Sequence, residues 1–324
     1  AFTPLIQATI PDLLPDEALY TKALALSRIA YTAEEFLSPL VAGLALSIVA
    51  ADALFFLPAI FFAASTAMVF LTSLPALSAS AKAPFLTRLS RGARIYVRTP
   101  RLRGLWLVQF GLTLPLAWVL VNSVVYAGLH SPSPHILYPQ LLVFFGIGTA
   151  LGAVIVTLLI PRISERTVMV TGAFLFAGFG LMDMLHMELA LALSNWAGLG
   201  FASSLVLTPG GLVLTRSAEP HNRPALFAAQ FALSHAGWLV AYPVAGTLGA
   251  WLGPEVTMGV LAVICLGVAA SALLVGPADD SAMYEHSHPD LGEGHPHLRD
   301  HGSASHRHHY FIDELHPHWP THRG

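Results

Sequence analysis

Charged residues are scarce in this chain: only 11% of its 324 residues are Asp, Glu, Lys or Arg, whereas 55% are hydrophobic. A soluble globular domain carries about a quarter of charged residues, so this composition excludes that class of protein. Cysteine is almost absent, because Cys265 is the only one, and a disulfide within one chain is therefore excluded. Lipid must be the solvent for most of this chain.

Motifs of common enzyme classes are also missing. The chain contains no glycine-rich nucleotide loop, no His-Glu-x-x-His helix and no serine nucleophile motif. We therefore expect no enzyme activity and no cofactor. We expect a divalent metal only as a transported substrate or as an ion that the C-terminal tail binds.

Long apolar runs are what the chain has in abundance. Eight runs of about twenty residues are each long enough to cross a hydrocarbon core of about 30 Å. They are residues 23–50, 53–74, 105–129, 138–160, 168–187, 189–214, 225–250 and 256–275. An apolar stub at residues 1–10 is too short to span, so we expect the chain to begin inside an earlier helix. The sequence thus predicts an all-α membrane protein with eight complete transmembrane helices plus a partial one.

All sixteen Lys and Arg residues fall on one side of the membrane that these runs imply. The stretch from Ser73 to Gly104 holds seven of them and no acid, and the positive-inside rule places such a loop in the cytoplasm. Alternation from that loop places the remaining Lys and Arg, including those of the tail, in the cytoplasm too. The connections around residues 51–52, 128–137, 187–188 and 251–255 hold none.

This pattern divides the chain into four predicted parts. Residues 1–74 are the remnant of an N-terminal helix bundle, and residues 75–104 form a basic cytoplasmic loop. A C-terminal six-helix bundle follows at residues 105–276, and residues 277–324 are a His-rich cytoplasmic tail. Two six-helix bundles joined by a basic loop are typical of secondary transporters. We expect a multi-pass monomer of a bacterial-type inner (plasma) membrane.

Small residues and prolines inside the runs favour a packed bundle. Gly148 and Gly152 stand four residues apart, as do Gly246 and Ala250, and such pairs allow helix backbones to approach closely. The alternative is that glycine and alanine are simply common in membrane helices. Kinks are expected at five prolines within runs, which are Pro39, Pro58, Pro115, Pro209 and Pro243.

Two neighbouring carboxylates lie in the first run. A charged side chain in a membrane span is costly and is therefore a functional candidate. Glu34 ranks first for proton or cation coupling, and Glu35 follows it. The alternative is that both carboxylates reach water near the helix end and pair with Arg28.

Other polar residues lie within the later runs. His235 lies near the middle of its run on one stripe with Trp238 and Tyr242, where a neutral imidazole can bind a metal or relay a proton. The alternative is a histidine that is hydrogen-bonded to a neighbouring helix. Gln109 and Asn122 are candidates to line the pathway, and the alternative is that their amides hold neighbouring helices together. Asp183 and His186, at the outer end of their run, are candidates for a cation exit site, and the alternative is a hydrated lip.

Histidine is concentrated in the tail, since eleven of the sixteen fall within the last 39 positions. Imidazole suits nickel, cobalt, zinc and copper, and several His on a flexible chain can wrap a cation without a preformed cage. The alternative is a solvated tail that responds only to pH. The candidate metal ligands are His286, His288, His295, His297, His301, His306, His308, His309, His316 and His318.

Three stretches of the sequence resemble the major facilitator superfamily. Residues 2–39, FTPLIQATIPDLLPDEALYTKALALSRIAYTAEEFLSP, are similar to the end of its fourth helix, the following loop and its fifth helix. The stretch AAQFALSHAGWLVAYPVAGTLG, with the closing IDELHPHWP, resembles a branch that includes nickel-resistance permeases. The resemblance implies a major facilitator type helix bundle, and it places Glu34 on the relatives' Tyr-x-x-Glu pattern.

Three function hypotheses follow. The leading one is proton-coupled efflux of a divalent transition metal such as nickel or cobalt. The second is efflux of a drug or other small organic molecule, which the aromatic stripe of His235 favours. The third is a membrane-anchored metal-binding module without transport. The expected partners are the lipid bilayer and the transported solute or metal cation, with no nucleic acid.

Overall fold

The computed structural model describes residues 2–46, 56–71, 85–185, 187–275, 283–287, 305–313, 315–316 and 318–319. Within these ranges the chain is almost entirely helical. The helices are α1 (Phe2–Leu13), α2 (Glu17–Leu46), α3 (Phe56–Leu71), α4 (Phe85–Arg98), α5 (Pro100–His130), α6 (Pro134–Leu159), α7 (Glu165–Met182), α8 (Leu189–Leu207), α9 (Gly210–Thr215), α10 (Arg223–Leu252) and α11 (Pro254–Val275). Strands β1 (Met283–Ser287) and β2 (Ser305–His309) pair antiparallel, with His286 opposite His306.

Five segments of the described chain are long and apolar enough to cross a membrane. They are Pro100–His130, Pro134–Leu159, Leu189–Thr215, Arg223–Leu252 and Pro254–Val275, and each coincides with a predicted run. The predicted count of eight spans plus a partial one is not confirmed. The run at residues 168–187 appears as α7, whose first turn carries Glu165 and Arg166, and the run at 53–74 is described only as the 16 residues of α3.

The predicted basic loop contains a helix of its own. In α4, Ile95 and Tyr96 are buried while Arg94 and Arg98 are exposed, so the helix has an apolar face and a basic face. The apolar face packs on α10, where a Cβ added at Gly92 would lie 2.2 Å from the carbonyl oxygen of Ala225. The segment before α5 is therefore held against the bundle.

Glycines bring α6 and α8 into backbone contact. A Cβ added at Gly148 would lie 1.8 Å from the carbonyl oxygen of Ala197, and one added at Gly200 would lie 1.9 Å from that of Phe145. Gly152 meets Phe201 in the same way. The close approach expected at Gly148 and Gly152 is thus present, whereas Gly246 has no neighbour nearer than 3.9 Å.

The core lies among α5, α7, α8, α10 and α11, with buried aromatic rings at its centre. The ring of Trp196 lies 4.8 Å from that of Tyr126 and 6.0 Å from that of Trp118, centroid to centroid. Outside this core, α2 packs on α6 and α1 packs on α10. Every described side chain of α3 is exposed.

The helix bundle has two ends, which different parts of the chain approach. We call the end at which α5 begins the tail end, because Tyr310 and Ile312 of the tail are buried there and Trp319 lies 5.7 Å from the Arg101 guanidinium. We call the opposite end, where α5 finishes and α6 begins, the far end. The last turns of α7 and α10 and the first turns of α8 and α11 also lie at the far end.

Candidate functional site

A cavity of about 540 Å³ lies between the two N-terminal helices, α1 and α2, and the helices that follow α4. The helices α5 and α10 supply most of its wall, because both turn a stripe of large side chains towards it. Aromatic side chains are frequent in this wall, and they include Tyr31, Trp106, Phe110, Phe231 and Trp238. Trp106 and Phe110 are stacked, with ring centroids 5.2 Å apart.

Two glutamines form the polar side of the cavity. Gln230 on α10 donates from Nε2 to Oε1 of Gln109 on α5 at 2.7 Å, and the Tyr96 hydroxyl of α4 donates to Oε1 of Gln230. Both Gln109 and Gln230 line the cavity. This chain of hydrogen bonds orients both amides.

Two glycines that follow Pro209 allow close contacts in the cavity wall. A Cβ at Gly210 would lie 2.7 Å from Nε2 of Gln109, and a Cβ at Gly211 would lie 3.0 Å from the hydroxyl oxygen of Tyr20. These two glycines, next to Pro209 at the start of α9, therefore bring main chain to the cavity wall.

His235 lines the same cavity from α10. Its Nδ1 lies 2.8 Å from the carbonyl oxygen of Phe231, and a carbonyl can only accept, so Nδ1 carries the proton. In the neutral ring, Nε2 is then an acceptor and a possible metal ligand. The Phe231 ring lies 3.9 Å from the imidazole and holds it in place.

One arginine lies in the cavity wall. Among the described residues that line it, Arg28 carries the only formal charge, and none of them is Asp or Glu. A cavity wall with a guanidinium and amides, and with no described carboxylate, suits a solute with hydrogen-bond acceptors or negative charge.

Ion pairs join the N-terminal helices to the later ones at the tail end. Arg216, after α9, pairs with Glu17 of α2 and with Glu165 of α7, and Arg223 pairs with Asp12 at 2.9 Å. Burial lowers the pKa of Arg216, but the two carboxylates outweigh that effect and raise the pKa above its ordinary value. The Tyr20 hydroxyl adds a hydrogen bond to the Gly211 carbonyl at 3.2 Å.

The predicted pathway residues are not all at this cavity. Gln109 and His235 line it, but Asn122 is buried away from it and donates to the Ala245 carbonyl at 3.1 Å, which is the interhelical role. Glu34 is exposed on α2 and is not among the lining residues. The side chain of Glu35 lies outside the described part of the structure.

The two predicted residues at the end of α7 also lie away from the cavity. Asp183 is fully buried at the far end, while the neighbouring Glu188 is exposed, so Asp183 is not part of a hydrated lip. His186 lies outside the described residues. The exit site that these residues predict stays a prediction.

The His-rich tail is described only in part. In those described parts, no group of three or more His, Cys, Asp or Glu side chains lies close enough to hold a metal ion. His306 and His316 are buried, His318 is exposed, and His286, His308 and His309 lie on the two strands. His288, His295, His297 and His301 lie outside the described residues. Metal binding by the tail stays a prediction.

Sequence reasoning missed Gln230 and Tyr96, and it treated Arg28 only as a partner of the carboxylates. One signal was available, since Gln230, Ser234 and Trp238 are spaced four apart and share one face of α10. The hydrogen bond from Tyr96 had no signal, because it depends on how α4 docks on α10.

Comparison with known proteins gives one match. The sequence model of the Major Facilitator Superfamily matches residues 135–296, which run from the first turn of α6 beyond the end of α11. Among curated proteins, none matches the chain significantly. Because the match covers half of the chain and includes the six helices from α6 to α11, the chain belongs to the major facilitator superfamily of membrane transporters.

Proposed function

We propose that the cavity between α1–α2 and the later helices is the solute site of a secondary transporter, and that its substrate is a small organic molecule. The observation that carries the proposal is the wall of the cavity, which combines aromatic rings, two oriented amides and Arg28. Its volume of about 540 Å³ also falls in the range of about 300–1,000 Å³ that holds drug-sized ligands.

The chemistry of the wall favours this substrate over a divalent cation. A divalent metal loses most of its hydration in such a site and needs several N, O or S ligands in return. Among the described lining residues, His235 offers one ring nitrogen and no Asp, Glu or Cys adds a further ligand. A flat apolar molecule with an acceptor or anionic group instead gains ring contacts and a charged hydrogen bond.

In the proposed transport cycle, the ion pairs at the tail end separate when the protein changes conformation. Arg216 and Arg223 join the two parts of the chain at that end, and their separation would open the cavity there while the far end closes. Proton entry is the proposed driving force and efflux is the proposed direction.

The test uses the purified protein and two fluorescent probes, anionic fluorescein and cationic ethidium. We expect fluorescein to bind, and Trp238→Ala to weaken that binding about tenfold because a stacking ring is lost. Trp251→Ala is the matched control, since Trp251 lies on the same helix but is 79% exposed and outside the cavity. Equal binding by both variants would reject the cavity as the solute site.

The second candidate function is efflux of nickel or cobalt, which the eleven histidines of the tail favour. Cells that express the protein with and without residues 281–324 are loaded with nickel and followed for metal loss. Weaker resistance with residual efflux in the deletion supports a tail that collects metal for the transporter. Complete loss of every metal effect supports the membrane-anchored metal-binding module. No metal loss from either version, together with rapid loss of dye, supports the organic substrate.

A further inference from the structure

A buried carboxylate at the far end has no part in the cavity described above. Asp183, at the end of α7, is 0% exposed, and no described residue forms a hydrogen bond with either of its carboxylate oxygens. A buried charge without a partner is strongly disfavoured, so such a group takes up a proton or binds a cation. In a membrane protein, a carboxylate in this position indicates a functional site.

Other helices surround Asp183 with acidic and polar groups. The turn that carries Asp183 packs on α11, because a Cβ added at Gly259 would lie 2.2 Å from the sulfur of Met184. Glu255, in the first turn of α11, is near enough for its negative charge to oppose that of Asp183. The buried Tyr126 of α5 interacts electrostatically with both carboxylates. None of these neighbours neutralises Asp183.

A route to water leads through two partly exposed side chains. Nε2 of His130 lies 3.3 Å from the Glu255 carboxylate, and their side chains are 25% and 30% exposed. The Tyr126 ring is stacked on the imidazole at 4.1 Å, and Nδ1 of His130 lies 3.0 Å from the Tyr126 carbonyl. The pair is therefore partly exposed to solvent at the same end of the bundle as the buried Asp183.

We propose that Asp183 is a proton-binding site of this protein, loaded from water at the far end through Glu255 and His130. A proton from water is transferred to a carboxylate oxygen of Asp183, which becomes a neutral carboxylic acid. A sodium ion fits less well, because it needs several oxygen ligands and Asp183 is the only fully buried carboxylate among the described residues here.

Several titratable residues lie at the far end with Asp183. The helix α5 contributes Tyr126 and His130, α11 contributes Glu255, and the exposed Glu188 precedes α8. Two uncharged polar residues, Asn195 of α8 and Thr257 of α11, are buried, and their side chains form no hydrogen bond with a described residue. His186 lies outside the described residues.

Infrared difference spectroscopy of the purified protein tests the proposal directly, because it detects the carbonyl stretch of a protonated carboxyl group. We expect wild type to show this band and to lose it at alkaline pH, and Asp183→Asn to lack it. Glu188→Gln, which alters an exposed acid at the same end, should keep the band. Persistence of the band in Asp183→Asn, or its absence from wild type, would overturn the proposal.

Two further variants complete the test. Asp183→Glu should restore a titrating band if Asp183→Asn fails to give a monodisperse protein. In Glu255→Gln the opposing negative charge is removed, so Asp183 should lose its proton at a lower pH than in wild type. A titration that moves when sodium replaces choline would mean a sodium site and would overturn the proton assignment.

The use of this proton in transport rests on the proposed function, and it has a separate readout. In vesicles, Asp183→Asn should exchange fluorescein across the membrane as wild type does but fail to accumulate it in response to a pH gradient. If wild type transports no fluorescein, the solute proposal fails while the infrared result still decides the proton site. Gradient-driven accumulation by Asp183→Asn would exclude Asp183 from coupling.

Discussion

Single glycines determine how closely α6 and α8 approach. At Gly148 the space for a side chain is already filled by the backbone of Ala197, which cannot move aside as a flexible side chain can. The same is true at Gly200, which faces Phe145. The two helices must separate if either glycine gains a Cβ.

We therefore predict that Gly148→Ala destabilises the protein by about 1–3 kcal/mol, the usual cost of overpacking. Thermal unfolding of the detergent-purified protein measures this change. Gly178→Ala is the matched control, because a Cβ at that helical position has no neighbour within 4 Å. An equal melting temperature for the two variants would contradict the packing argument.

Asn122 and Gln109 are both amides of α5, but they have different surroundings. Asn122→Ala removes the hydrogen bond to the Ala245 carbonyl and should cost about 0.5–2 kcal/mol of stability, the range for interhelical hydrogen bonds in membranes. It should leave fluorescein binding unchanged. Gln109→Ala should weaken binding, because Gln109 lines the cavity. The reverse pattern in stability and binding assays would exchange the two roles.

A polar residue within one apolar run identifies a candidate but not its surroundings. His235 and Gln109 are such candidates and both line the cavity, but their roles in transport stay predictions. Glu34 ranks first because it is acidic within an apolar run and matches the relatives' Tyr-x-x-Glu pattern, but the structure places it on an exposed surface of α2. Exposure depends on which helices pack together, and no pattern within one helix reveals that.

At the level of helices, Arg216 connects α2 with α7. It pairs with Glu165, whose side chain is only 8% exposed, and with Glu17, whose side chain is 54% exposed. Loss of Arg216 would leave the Glu165 carboxylate buried without its cation. The pair of Arg223 with Asp12 involves one partly exposed carboxylate.

We predict that Arg216→Ala costs about 1–3 kcal/mol, less than a fully buried pair because the guanidinium is partly solvated, and that Arg223→Ala costs less. Arg216→Lys should restore only part of the loss, since an ammonium cannot present a planar fork to two carboxylates. Chemical denaturation in detergent provides the measurement. A larger effect at Arg223 would show that the ion pair with Asp12 is the stronger connection.

The described end of the tail forms a compact segment around Tyr310. Its hydroxyl donates to the His318 carbonyl at 2.7 Å, and its ring contacts those of His316 and Trp319. Asp313 accepts from the backbone N–H groups of Leu315 and His316 at 2.8 and 2.6 Å. These contacts fold the segment back on itself where it meets the bundle.

Asp313 makes the order of this segment dependent on pH. Burial raises its pKa, but the hydrogen bonds and charge of His316, with the N–H of Leu315, lower the pKa below its ordinary value. The stabilisation is therefore present above about pH 4, the ordinary value, and it is lost as the pH falls through the lower folded value. Hydrogen exchange at Leu315 and His316, corrected for intrinsic rates, should accelerate below that pH.

Asp313→Asn should produce the same acceleration at neutral pH, because the charged acceptor is gone. Glu188→Gln at the far end is the control and should leave the exchange of both amides unchanged. If Asp313→Asn protects these amides as well as wild type does, the carboxylate does not hold the segment together.

For the whole molecule, hydropathy predicted the membrane class and the resemblance predicted the superfamily, and both are confirmed. The transporter class also agrees with the expectation that the chain is not an enzyme. The nickel-resistance branch and the number of spans are not confirmed. Hydropathy does not determine the number of spans where a charged first turn, as in α7, lowers the mean hydropathy of an otherwise apolar helix.

The one-sided distribution of Lys and Arg gives a prediction for the whole chain. A reporter after Ser80 or after Gly324 should be cytoplasmic, and one at Ser133 should be external. In the described part of the chain, Trp319 and Arg101 meet at one end of the bundle while Ser133 lies at the other. An external signal after Gly324 would contradict the prediction.

The contact between Trp319 and Arg101 also has a consequence for biosynthesis. Arg101 enters the membrane region with α5, whereas the ring that covers it is added after all the helices from α5 to α11 have left the ribosome. Proteins generally fold from the N-terminus during synthesis, so this contact is a late step. We expect a chain interrupted in the tail to insert its helices yet leave the Arg101 guanidinium without the ring of Trp319.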